Sequence, residues 1–315
     1  MQDPNDIGQD GDGVDRRGFL KCMAWAGTGL VWTTGGGLLS SRALGQGPGR
    51  AGPGSFSFVQ ISDSHVGFAK APNKDVIGTL RRAIARINAL PEPPAFLIHT
   101  GDLTHLSKPA EFDAVAEILK EAKAGRVFYV PGEHDVIGGG KPYLERFGKG
   151  TRGNGWHSFD FRGVHFIGLV NVASPDQAGG LGTLGREQLD WLKKDLAGRS
   201  DSTPIVVFAH VPLWTIYPEW GWGTADSQQA LAALRRFGSV TVLNGHIHQV
   251  LQKVEGNVTF HTARSTAFPQ PAPGKAAGPG PLKDVAAEKL LGMLGLTSVS
   301  YVEARRPLAV VDATL

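Results

Sequence analysis

Five short apolar runs in this chain each break off into acidic residues or histidines, and that coupling limits the possible architecture more than any other feature. FVQIS leads into Asp63-Ser64-His65, FLIHT into Gly101-Asp102, and VFYVP into Gly132-Glu133-His134-Asp135. IVVFA leads into His210, and VTVLN into Gly245-His246-Ile247-His248. Short apolar runs bounded by turn formers read as buried strands. In open α/β sheets, ligands gather beyond the carboxyl ends of the strands. Strands that all end this way predict one shared site. Carboxylate oxygens and imidazoles without thiolate form a hard-to-borderline donor set, suited to transition-metal ions. A single D-x-H or H-x-H would carry little weight.

Amphipathic stretches separate the runs. Apolar residues at Ile77, Leu80, Ile84 and Ile87 predict a helix over 77–90, with a second over 109–124. Residues 185–197, with Leu189, Leu192 and Leu196 on one stripe, and 228–237 read as two more. Strands are expected at 55–62, 95–100, 127–130, 204–209 and 240–244. Residues 156–170 read as a hairpin whose arms, SFDF and VHFIGLV, are split by Arg162-Gly163. Strands at 251–254 and 258–262 turn at Glu255-Gly256-Asn257. The alternation predicts an α/β core, and the hairpins a second, more antiparallel sheet. Residues 299–302 and 308–311 are expected as edge strands of the same domain, and 271–281, rich in Pro and Gly, as a loop.

Over residues 55–266 the motifs D-x-H, GD, G-E-H-D, H and GH-x-H resemble those of the calcineurin-like metallophosphoesterase superfamily, and GREQLDWL at 185–192 resembles its helix before the fourth motif. The resemblance implies a fold of two mixed β-sheets packed as a sandwich flanked by α-helices. It implies two transition-metal ions (Fe, Mn or Zn), one on Asp63, His65 and His248 and the other on Glu133, His210 and His246, with Asp102 bridging. It implies hydrolysis of a small phosphoester, with His134 serving the leaving oxygen and Asp135 orienting the His134 ring. Diesters of the cyclic-nucleotide or glycerophosphodiester type stand ahead of phosphomonoesters and phosphoproteins. A metal-binding module that has lost catalysis is the reading from another class. Two departures stand out. Glu133 replaces the family's Asn; with two divalent ions and a hydroxide, the third carboxylate removes the one net positive charge that two would leave. His105 replaces the iron-binding Tyr of purple acid phosphatases, which argues against that branch.

Elsewhere the residues call for plainer readings. His99 is expected in the core, His105 at the pocket or beside it, and His157, His165 and His261 as fold or surface residues. Trp214, Tyr217, Trp220 and Trp222 form either a loop packed on itself or a lip for an apolar part of the substrate. A net charge of +3 without a basic cluster gives no nucleic-acid footprint. Residues 1–45 read as a signal: Asp15-Arg16-Arg17-Gly18-Phe19-Leu20-Lys21 resembles the twin-arginine motif, and Ala43-Leu44-Gly45 suits cleavage. Export by the twin-arginine translocation machinery to the periplasm is therefore expected. After a Gly/Pro linker at 46–54, the domain should occupy 55–315. Cys22, the single cysteine, lies in the leader, so no intrachain disulfide is possible.

Overall fold

Each apolar run does become a strand, and the strands assemble into two sheets. The computed structural model describes residues 30–35, 38–43, 54–173, 180–303 and 308–315. Arg16, Arg17 and Cys22 lie outside them. Within the stretch expected as leader, β1 (Leu30–Gly35) and β2 (Leu38–Ala43) pair as an antiparallel hairpin in a unit ending at Arg50.

From Ala51 onward a second unit holds the two sheets. The five-stranded sheet contains β3 (Phe56–Ile61), β4 (Leu97–His99), β5 (Val127–Tyr129), β12 (Gly295–Tyr301) and β13 (Ala309–Thr314), in the order β13-β12-β3-β4-β5. Helices α1 (Val76–Asn88) and α2 (Pro109–Lys120) cross over between β3, β4 and β5, which are parallel. The six-stranded sheet runs β10-β11-β9-β8-β7-β6. It comprises β6 (His157–Phe161), β7 (Val164–Gly168), β8 (Ile205–Phe208), β9 (Val240–Asn244), β10 (Gln252–Glu255) and β11 (Val258–Thr262). Three further helices are α3 (Lys141–Phe147), α4 (Arg186–Leu196) and α5 (Ser227–Leu234), and α6 (Ala287–Met293) precedes β12.

Alternation along each strand explains the layers. On β8, Val206 and Phe208 face the inter-sheet core with Phe58, Phe96 and Phe166, while Ile205 and Val207 pack with Leu189, Leu192 and Leu234 of α4 and α5. With both faces covered, such a strand must be apolar throughout, which is why the runs carry no polar alternation. Val59 and Ile61 of β3 likewise meet Leu80, Ile84 and Phe112 of α1 and α2. Each side chain fully buried this way contributes roughly 1.5–3 kcal/mol.

Three expectations change. The second sheet is mixed rather than mainly antiparallel: β7, β8, β9 and β11 are parallel, and only the outer strands β6 and β10 run against them. Helical crossovers through α4 and α5 impose parallel pairing at the centre. Strand β12 lies inside its sheet, between β13 and β3, rather than at an edge. On α1, Asp75 accepts a bond from Gly78 N at 2.8 Å and fixes the first turn, so Val76 is buried and Ile77 is 36% exposed. The short helices α3 and α6 gave no periodic signal in the sequence.

Candidate metal centre

Beyond β3, β4, β5, β8 and β9 the chain curls, and the five motifs converge there. Neighbouring loops are knitted by backbone bonds: Asp63 N to Gly101 O (3.0 Å), His65 N to Asp102 O (2.9 Å) and Gly245 N to His210 O (2.9 Å). Asp63, His65, Asp102, His246 and His248 all have positive φ, between 40° and 70°. Left-handed backbone costs about 1–2 kcal/mol at a non-glycine residue, and such residues cluster where function holds them. Two glycines admit the approach of the loops. A Cβ on Gly132 would lie 2.0 Å from Asp102 Oδ1, and one on Gly245 would lie 2.0 Å from Ser62 Oγ.

Donor atoms of Asp63, His65 and His248 lie within 4.8 Å of one another, and so do those of Glu133, His210 and His246. Asp102 stands between the two groups: its Oδ2 is 3.5 Å from Nε2 of His65 and 3.5 Å from Nε2 of His210. Its Oδ1 accepts from His134 N at 2.9 Å. Glu133 reaches the second group with both oxygens, Oε2 at 2.9 Å from His210 Nε2 and Oε1 at 3.0 Å from His246 Nδ1.

Several of these atoms stand close to one another without a hydrogen bond between them. His210 Nε2, Glu133 Oε2 and both ring nitrogens of His246 are buried without a hydrogen-bond partner, although carboxylate and imidazole atoms stand close by. Buried polar atoms are normally satisfied, so this donor set fits cations of the kind its oxygens and imidazoles prefer. Carbonyls hold the far sides of two rings: His210 Nδ1 donates to Thr100 O at 2.7 Å and His248 Nδ1 to Phe268 O at 2.5 Å. Both rings thus keep Nε2 for a ligand role.

Charge in the site is uneven. Burial holds the His65 ring well below the ordinary histidine value, aided by the facing imidazoles of His134, His248 and His105. It is neutral at pH 7, the form with a lone pair to give. For Glu133, burial pulls the carboxyl upward, but the His246 and His210 imidazoles outweigh it and keep the group well below its usual range. On His210, burial is opposed and overcome by Asp102 and Glu133, which hold its proton well above the ordinary value. An ion and a proton would compete for that nitrogen.

Asp135 does not orient the His134 ring, contrary to expectation. Its carboxylate accepts from Gly132 N (3.0 Å), Leu103 N (3.0 Å), Thr104 N (2.9 Å) and Thr104 Oγ1 (2.9 Å), and so ties the second and third motif loops together. The His134 ring is instead held by His105, whose carbonyl accepts from Nδ1 at 2.8 Å and whose ring stacks on it at 4.8 Å. Sequence reasoning missed Phe268, which stacks on His65 at 4.7 Å, and Asn244, which bonds Ala209 O and Val211 O on either side of His210. A polar residue closing a mostly apolar strand was the available signal for Asn244; nothing local marks Phe268.

His99 is a buried core residue bonded to Ser64 Oγ at 2.7 Å, and burial lowers its ring to about 3. His165 sits fully buried between Asp160 (2.9 Å) and Asp195 (2.7 Å), away from the site. His261 on β11 bonds Asp312 on β13 at 3.0 Å and so links the two sheets. The aromatic group divides: Trp222 is fully buried, Trp214 packs on Phe260 at 5.0 Å, and Trp220 lines a cavity of about 360 Å³ beside Glu133 and His246.

The family model for calcineurin-like phosphoesterases matches residues 56–250, from β3 to just past His248. A serine/threonine-protein phosphatase of Danio rerio, CPPED1, is 25% identical over 221 residues, covering 62% of this chain and 71% of the relative. A probable cyclic nucleotide phosphodiesterase of Rhodococcus erythropolis is 27% identical over 220 residues, covering 67% and 71%. Among solved structures, a dimetal phosphatase from Danio rerio superposes with a TM-score of 0.58 at 15% identity, covering 81% of this chain and 98% of its own. That last likeness concerns the fold.

Proposed function

Since this chain belongs to the calcineurin-like phosphoesterase family, we propose that it hydrolyses small phosphoesters with two transition-metal ions, diesters ahead of monoesters. Asp63, His65 and His248 would hold one ion, and Glu133, His210 and His246 the other, with Asp102 shared between them. The position of Asp102, equally close to a histidine of each group, carries this reading. When bound, such ions acidify water and neutralise phosphoryl charge. On the reading of its leader, the enzyme works in the periplasm. Turnover of bis-(4-nitrophenyl) phosphate with added Mn²⁺, set against the 4-nitrophenyl monoester, tests the proposal. Two bound ions with neither ester cleaved would instead support the metal-binding module.

The chain's own residues supply the rest. His134 Nδ1 donates to the His105 carbonyl, which leaves Nε2 to hold a proton for the leaving oxygen. Burial lowers this ring, but the Asp102 and Glu133 carboxylates outweigh it and raise the ring above the ordinary histidine value. His134→Ala should therefore keep the bound metal and lose rate, about a hundredfold for an alkyl leaving group and less for nitrophenolate. Equal losses for the two leaving groups would reduce His134 to positioning.

Glu133 bears on substrate charge. Both its oxygens turn into the second group, so the additional anion lies in the site. Repulsion of a monoester dianion exceeds that of a diester monoanion, by about tenfold in rate for one charge at this range. Glu133→Asn is expected to raise the ratio of monoesterase to diesterase activity by about that factor and to loosen the second ion. Paired kinetics and metal analysis by mass spectrometry read both. An unchanged ratio with unchanged metal content would show that the carboxylate has no electrostatic role.

A further inference from the structure

The cavity beside Glu133 and His246 has neither Lys nor Arg among the described residues that line it. Its volume is about 360 Å³. It touches the second group of candidate ligands and none of Asp63, His65 or His248. One wall follows β7 through Asn171 and Val172; another is the turn Pro218–Trp220, and Pro279 of the Pro/Gly loop closes a side. Gly182, which also lines the cavity, donates from N to Gly223 O at 2.9 Å and accepts from Ala225 N at 2.8 Å, which ties it to the segment after the turn. Asn171 fixes the floor through Val211 O (2.7 Å) and Thr224 Oγ1 (2.8 Å).

Apart from Glu133 and His246, the only ionisable residue lining the cavity among the described residues is Glu219. Glu219 is exposed, and no cation pairs with it among the described residues. Next to it Trp220 is held edge-on by Tyr217 (5.4 Å, 88°) and by the fully buried Trp222 (5.2 Å, 84°). An aromatic ring of fixed orientation beside an unpaired carboxylate is the arrangement that attracts an organic cation, by the ring quadrupole and by charge. The same cavity repels an anionic group.

We propose that this cavity receives one alcohol arm of a phosphodiester and selects an arm bearing an alkylammonium group, with Trp220 and Glu219 as the specificity residues. This rests on the phosphoesterase reading above. The ammonium group also offsets the negative charge that Glu133 adds beside the phosphoryl group.

The test compares choline 4-nitrophenyl phosphate with its uncharged isostere, 3,3-dimethylbutyl 4-nitrophenyl phosphate, on the metal-loaded full chain at low ionic strength, where screening is weak. Both esters release the same chromophore, so the leaving group cancels. The choline ester should have about tenfold higher kcat/KM. Glu219→Gln and Trp220→Leu should each bring the ratio of the two esters close to one. Choline chloride should quench tryptophan fluorescence in the parent protein and fail to do so in Trp220→Leu. Turnover of both esters at equal kcat/KM by the parent overturns this inference and leaves the hydrolase reading standing. A ratio that survives Glu219→Gln and Trp220→Leu also overturns it. Metal-loaded protein that cleaves neither ester overturns the hydrolase reading and this inference together.

Discussion

Asp102→Asn is expected to lower kcat by about a thousandfold or more, on the order of 4 kcal/mol in the barrier, while the fold survives. Asparagine keeps the shape of the side chain, and its carbonyl oxygen can still accept from His134 N, as Asp102 Oδ1 does at 2.9 Å. What goes is the negative charge on a carboxylate placed equally close to a histidine of each candidate group, with Oδ2 at 3.5 Å from His65 Nε2 and from His210 Nε2. Hard cations need that charge, so metal content should fall along with the rate. Circular dichroism should show an intact protein. Near-parental turnover with two ions still bound would end the shared-carboxylate model.

Asp135→Ala is expected to act on stability first. The Asp135 carboxylate is fully buried and accepts four hydrogen bonds, from Gly132 N, Leu103 N, Thr104 N and Thr104 Oγ1. Truncation strands those donors in the interior, where an unsatisfied group costs about 1–3 kcal/mol. Relaxation and entry of water recover part of the sum, which leaves on the order of 3–5 kcal/mol. For a domain of this size that corresponds to a drop in Tm of roughly 6–10 °C. Activity should fall as well, because the tie sets Asp102 against Glu133 and His134. Thermal melting monitored by circular dichroism distinguishes this from a chemical role. A variant with parental Tm and lost turnover would return Asp135 to the chemistry, where sequence reasoning had placed it.

That misassignment shows where local information stops. Asp63, His65, Asp102, Glu133, His134, His210, His246 and His248 were legible as one constellation, because each follows an apolar run within four residues. Strand ends and residue chemistry are properties of short segments. The hairpin at Arg162-Gly163 and the buried stripe of Leu189, Leu192 and Leu196 were legible for the same reason: period and turn chemistry act over a few residues.

What those segments touch was not legible. Asp135 is adjacent to His134 in sequence yet turns away, because Gly132 N of its own loop and two N–H groups and a hydroxyl on the facing loop offer it more than a neighbouring ring does. Val76 rather than Ile77 enters the core because the Asp75 cap sets the rotation of α1. Phe268 meets His65 and His248 only once the chain has returned from β11. The aromatic group divides into a buried anchor, a packing residue and a cavity wall by tertiary surroundings alone. Composition and spacing thus determined which residues are the candidates for the chemistry. Pairing of distant strands decided how they face one another, since hydrogen-bond satisfaction and close packing are settled only when every neighbour is present.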